Sequence, residues 1–156
     1  MPFQKPYQYV IDSSALFDLK NQYPSRIFSS VWERFNDMVL ENKIVSTREV
    51  LKEINKGNDE LIEWAEANGD FFLEPTDEEL FIMQDILETK YTQKEIDKYS
   101  TRPWADPFVI SCAKHFRLPL IQHEKNDPFK IPSICKTLNV KCLSLIEFFD
   151  EEGWSF

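Results

Sequence analysis

The sequence predicts an α/β protein built on a mostly parallel sheet. Short apolar runs of strand character recur near residues 8–11, 43–45, 71–73, 119–121 and 140–143. Stretches with helical spacing fill the gaps between them. Cap and turn residues punctuate the boundaries. Strands separated by helices cannot pair through tight hairpins, so they run parallel, with helices on both faces of the sheet. A chain of 156 residues without a linker, repeat or low-complexity tract reads as one domain over residues 1–156.

Each element has its own signal. Gln8 to Ile11 is a first strand, and Ser13 to Asn21 a short helix. After Pro24, the segment IFSSVWERFNDMVLEN places Ile27, Val31, Trp32, Phe35, Met38 and Val39 at helical spacing. Lys43-Ile44-Val45 is a second strand. Ser46 and Glu49 then match the S-x-x-E capping box at the start of a helix. Val50, Leu51 and Ile54 give that helix its apolar face, and Lys56-Gly57-Asn58 ends it. Asp59 to Asn68 is a further helix, stopped by Gly69. Phe71-Phe72-Leu73 is a third strand, and Thr76 or Asp77 caps a helix running to about Lys90. Residues 92–103 are polar and irregular, with room for one helical turn. Asp106 followed by Pro107 reads as a cap and a first helical position. Pro119-Leu120-Ile121 is a fourth strand, Pro132 starts a helix, Val140 to Leu143 is a fifth strand, and Ser144 caps the last helix.

Composition removes several function classes. Three glycines leave no glycine-rich phosphate loop, and neither GxGxxG nor GxxxxGK[ST] is present. No run of eighteen apolar residues suits a membrane span, and MPFQKPYQYVID lacks the apolar core of a signal peptide. Cys112, Cys135 and Cys142 are widely spaced and odd in number, as expected of free thiols in a reducing cytoplasm. His115 and His123 have no cysteine partners at zinc spacing. Ser13 and Ser14 have no histidine base in a nucleophile motif. A net charge of −9 suits poorly a protein that only grips nucleic acid through its phosphates. It does suit a carboxylate site whose bound cation reverses the local sign.

The acids carry the chemistry. In an open parallel sheet, ligands sit beyond the carboxyl ends of the strands where strand order reverses. Asp12 ends the first strand and Glu124 follows the fourth. Asp106 opens the helix leading into strand four, and Glu53 lies on the helix after strand two. Four carboxylates from distant positions can therefore meet, and hard Mg²⁺ or Mn²⁺ favours carboxylate oxygens and water. Each acid has a plainer role as well. Asp12 and Asp106 can serve as helix caps, and Glu53 and Glu124 can face solvent. A haloacid-dehalogenase-like phosphatase would need an acid where Ser14 stands, and a receiver domain would need an acidic pair after its first strand.

The stretches YVIDSSALFDL, IVSTREVLKEI and WADPFVISCAKHFRLPLIQHEKN, taken in order, resemble the PIN-domain family of metal-dependent nucleases. That family supplies the toxins of VapC-type toxin–antitoxin pairs. The Trp- and Phe-rich helix after the first motif, together with His123-Glu124-Lys125 and Lys130-Ile131-Pro132, is similar to the PIN-like DUF4411 subgroup. The resemblance spans essentially the whole chain. It implies a three-layer α/β/α fold with a five-stranded sheet in the order 3-2-1-4-5. It implies that Asp12, Glu53 and Asp106 hold Mg²⁺ or Mn²⁺, with Glu124 close by. The family has Asp at that fourth position, and the longer Glu leaves Asp127 as an alternative. Ser13 is expected to hold Asp12 by a hydrogen bond. Arg48, Arg102, Lys125 and Lys130 are expected at the substrate. The implied activity is RNA phosphodiester hydrolysis by a cytoplasmic homodimer whose antitoxin carries a DNA-binding domain. The competing expectation is a non-catalytic PIN-like module that acts through a protein partner.

Overall fold

A computed structural model describes residues 7–57 and 59–156. The reading of residues 1–6, and Asn58 in the expected helix stop, lie outside the described residues. Five strands, β1 (Tyr9–Ile11), β2 (Ile44–Thr47), β3 (Phe72–Leu73), β4 (Leu120–Ile121) and β5 (Cys142–Leu143), form one sheet. The order is β3-β2-β1-β4-β5 and every pairing is parallel. This is the order the sequence implied.

The helices are α1 (Ser13–Gln22), α2 (Ser29–Leu40), α3 (Arg48–Ile54), α4 (Asp59–Ala67) and α5 (Asp77–Thr89). They continue as α6 (Gln93–Asp97), α7 (Asp106–Phe116), α8 (Ile131–Leu138) and α9 (Leu145–Glu151). Right-handed crossovers place the β1–β2 and β2–β3 connections on one face. The chain then reverses direction across the sheet, so the β3–β4 and β4–β5 connections take the other face. Packing agrees: α1 meets α3 and α3 meets α4, whereas α5 runs along α7 and α7 meets α8.

Burial makes the same point independently. Successive strand residues point to opposite faces, yet every residue of β1 and β2 is buried. A strand buried on both faces belongs to a covered parallel sheet. Val10 pairs with Val45 on one side and Leu120 on the other, so β1 is the centre of the sheet. The sheet order changes direction between β1 and β4, and their carboxyl ends lie side by side. The Asp12 amide donates to the Ile121 carbonyl at 2.9 Å, which carries the ladder one residue past β1.

Three local expectations are corrected. Ser46 does not open a helix. It is the third residue of β2, fully buried, and its hydroxyl donates to the Ile11 carbonyl at 2.6 Å. The register of β2 on β1 claims the residue before the local cap pattern can act. Thr47 precedes α3 instead and makes no side-chain cap bond, while Glu49 pairs with Lys52 at 3.2 Å. Ile27 lies before α2 and is 60% exposed, although Val31, Trp32, Phe35, Met38 and Val39 are buried as their spacing required. Asp106 is the first residue of α7 rather than its cap, a place taken by Ala105. Within residues 92–103 the helical turn is real: Thr92 caps α6 by accepting from the Glu95 amide. Thr76 caps α5, and Ser144 with Glu147 forms a complete capping box on α9.

Among the described residues, no helix is long and apolar enough to cross a membrane. Cys112, Cys135 and Cys142 are free. Replacing Ser46 with Ala removes a buried bond between the two central strands. The expected cost is about 1 kcal/mol of unfolding free energy, read as a lower urea midpoint with an unchanged slope. An unchanged midpoint would show that the bond contributes nothing.

Candidate metal centre

Asp12, Asp106 and Glu124 converge at the reversal point of the sheet. One carboxylate oxygen from each lies within 4.8 Å of the others. Asp12 arrives on the end of β1, Asp106 on the first turn of α7, and Glu124 on the loop after β4. Asp12 is 1% exposed and Asp106 is 6% exposed, whereas Glu124 is only partly buried. The group is therefore reached by solvent on the Glu124 side.

Each acid stands at the amino end of a helix. Asp12 caps α1, Asp106 opens α7, and Glu124 accepts from the Ile131 amide at the start of α8 at 3.0 Å. Unpaired amides and the positive end of the helix dipole favour negative charge there. This arrangement lets three carboxylates share a space with no cationic side chain bonded to them among the described residues.

Ser14 joins Ser13 in holding Asp12: the Ser13 backbone bonds the Asp12 carboxylate while its hydroxyl turns to Glu53, and Ser14 supplies the side-chain bond. The Ser14 hydroxyl donates to Asp12 Oδ2 at 2.7 Å and its amide donates to the same oxygen at 3.2 Å. The Ser14 hydroxyl in turn accepts from the His123 amide at 2.9 Å, which ties β1 to the loop after β4. Asp12 Oδ1 is buried and has no hydrogen-bond partner. A buried carboxylate oxygen without a partner is rare and costly. Here it is next to two further carboxylates.

Glu53 occupies a different station from the one expected. Its Oε1 accepts from the Ser13 hydroxyl at 2.7 Å, and its Oε2 accepts from the Ala105 amide at 3.3 Å. Both oxygens are thus engaged, and Glu53 stands outside the three-acid group. It ties α1 and α3 to the residue that precedes Asp106. Glu124 takes the inner position that the sequence had given to Glu53. Gln122 supports it by accepting from the Glu124 amide at 2.6 Å. Asp127 is exposed and does not join the group.

The electrostatics follow from crowding. Burial and then Glu124 raise the Asp12 carboxyl to about 6, although the Ser14 bonds pull the other way. Burial and then Asp12 raise Glu53 to about 7, against its bonds from Ser13 and Ala105. Burial, Asp12 and Glu124 hold Asp106 well above the usual carboxylate range.

The expected substrate contacts are scattered. Arg48 lies past the end of β2 and pairs with Glu74 at 3.4 Å, away from the acids. Lys125 is exposed beside Glu124. Arg102 lies over the Tyr99 ring. Lys130 stands in the field of Glu124 and Asp106. Sequence reasoning missed Ser14 and Gln122. A cap side chain accepts from the second or third helical residue, so treating Asp12 as the α1 cap points to Ser14 directly. Gln122 carried no comparable signal.

Over residues 9–156 the chain matches the family described as a domain of unknown function, DUF4411. The chain belongs to the DUF4411 family. No curated protein matches it. The match covers every residue of this DUF4411 centre, from Asp12 through Glu124, and all five strands that assemble it.

A hard divalent cation fits these donors. They are oxygen-only, negatively charged and close together, and one is a buried oxygen without a partner. The titration has a consequence for stability. The raised carboxyls make the metal-free folded chain hold more protons than the unfolded chain between about pH 4 and 7. The contribution of these groups to stability is therefore full below pH 4 and is lost as pH rises through that window. At pH 7, Asp12→Asn removes a charge whose burial costs up to about 3 kcal/mol. The variant should show a higher urea midpoint than the parent in EDTA, with the difference vanishing near pH 4. A variant midpoint no higher than the parent's at pH 7 would contradict this electrostatic account.

Proposed function

We propose that this chain is a PIN-like, Mg²⁺- or Mn²⁺-dependent ribonuclease that hydrolyses phosphodiester bonds. One observation carries the reading: three carboxylates within 4.8 Å at the sheet's reversal point, one of them with a buried, unpartnered oxygen. Asp12, Asp106 and Glu124 would hold the cation. When bound, it would make water a stronger acid and offset charge developing on a phosphate.

The chain's own residues divide the remaining work. Ser14 fixes Asp12 through Oδ2 and leaves Oδ1 without a hydrogen bond. The Ile131 amide holds one Glu124 oxygen and leaves the other available. Glu53 fixes the backbone ahead of Asp106 and touches no reacting atom in this scheme. Substrate enters from the Glu124 side, where the group meets solvent. The role as a toxin held by an antitoxin, and as a homodimer, rests on the resemblance to VapC-type sequences. A basic tail on such a partner would neutralise the same carboxylates. Cleavage by the isolated chain separates this reading from a non-catalytic module.

The test is cleavage of a mixed RNA pool by the purified chain in Mn²⁺ and in EDTA. Cleavage should require Mn²⁺. Asp12→Asn and Asp106→Asn should each reduce it by more than about 100-fold. Glu53→Gln, which acts through position alone, should reduce it by about 10- to 100-fold. Full activity in EDTA, or in Asp106→Asn, would refute the proposal.

A further inference from the structure

Residues 91–104, between α5 and α7, contribute nothing to the acid group, yet they build a wall beside it. The Tyr99 ring lies flat on the Trp104 indole, with centroids 4.3 Å apart and planes 6° apart. The Arg102 guanidinium carbon is 4.8 Å from the Tyr99 centroid. The indole already takes one face of Tyr99, so the guanidinium takes the other. Trp104, Tyr99 and Arg102 thus form a three-layer stack that ends in an exposed, planar cation.

The stack adjoins the acid centre on two sides: Trp104 stands two residues before Asp106, and Lys130 directly precedes Ile131, whose amide bonds Glu124. Tyr91 packs edge-on against Trp104 with centroids 4.7 Å apart. Burial first, then the negative charges of Asp106 and Glu124, hold the Tyr91 phenol in its neutral form. Its hydroxyl and the Trp104 indole N–H are both buried without a partner. From the other side comes Lys130. Burial pulls its pKa down, but Tyr99, Glu124 and Asp106 outweigh burial and leave it raised, a hydrogen bond with Tyr99 among the contributions. Phe129, just before Lys130, takes a left-handed φ of 64°, a conformation that non-glycine residues adopt only when their surroundings hold them there.

A chain of net charge −9 with a carboxylate centre repels a polyanion. Cations at the rim must draw it in. A planar guanidinium backed by two aromatic layers is a surface on which an unpaired base stacks, whatever its identity. Lys130, next in the chain to the Ile131 amide that holds Glu124, brings an ammonium for a phosphate to the same rim.

We propose that Trp104, Tyr99, Arg102 and Lys130 form a nucleotide subsite beside the acid centre. Arg102 stacks on one unpaired base, and Lys130 holds the phosphate between that base and the bond to be cut. A paired base offers no free face, so the subsite selects single strands over duplexes. This inference rests on the nuclease reading, for which the PIN resemblance already implies single-stranded RNA, and adds to it the residues that hold one nucleotide.

The experiment uses the full chain carrying Asp12→Asn, so that RNA survives, and a fluorescein-labelled single-stranded RNA of mixed sequence. Fluorescence anisotropy gives Kd for this strand and for its duplex. The parent should prefer the single strand. Adding Arg102→Ala should weaken single-strand binding by at least about fivefold and duplex binding distinctly less. Arg102→Lys keeps the charge but loses the plane, and should bind almost as poorly as Arg102→Ala. Arg102 is exposed, so an unchanged thermal midpoint will confirm that these variants fold. Single-strand affinity that survives Arg102→Ala, or full rescue by Arg102→Lys, would overturn the subsite. Where the wild-type chain still cleaves RNA, the nuclease reading stands through that failure. A chain that neither binds nor cleaves RNA overturns both.

Discussion

Asp12, Asp106 and Glu124 share a space too small and too dry for three negative charges. The folded chain tolerates them because the amino ends of α1, α7 and α8 point at that space, and because some of the carboxyls keep their protons. Much of the surrounding structure serves this arrangement. Ser14 pins Asp12 and also reaches the loop after β4. Gln122 and Ile131 hold Glu124 from two directions. Glu53 joins α1 and α3 to the backbone before Asp106. None of these contacts would be expected around acids that merely face solvent.

The sheet order makes the convergence possible. Had β4 been added beside β3, Glu124 would lie across the sheet from Asp12. Placing β4 against β1 brings the two carboxyl ends together, and the reversal of direction opens a cleft between the helices of the two faces. The strands are only two to four residues long, so their pairing alone fixes little. Complete burial of β1 and β2, locked by the Ser46 bond to Ile11, holds the register that sets Asp12 at the rim.

The alternation of strands and helices and the acids were legible in the sequence because each rests on a pattern that survives folding, whereas the sheet order came only from the resemblance. Apolar runs become strands, and acids just past strand ends meet at one edge of a parallel sheet. The ranking of the acids was not legible. Glu53 and Glu124 differ in which neighbours consume their oxygens, and Ser13 and Ala105 reach Glu53 only after the chain has folded. The same limit explains Ser46. Its cap pattern is local, whereas the strand register that claims it depends on β1, 35 residues away. The Tyr99–Trp104–Arg102 stack lies in a stretch whose composition read only as polar and irregular, because no periodic pattern marks three residues that meet through a bend in the chain.

The central claim is that these carboxylates form one proton-sharing cation site. Isothermal titration with Mn²⁺ near pH 6.5, in two buffers of different ionisation enthalpy, measures both affinity and the protons released. The account gives one saturable site per chain, with proton release on binding, and loss of both in Asp106→Asn. Binding without proton release, or Mn²⁺ affinity unchanged in Asp106→Asn, would contradict it.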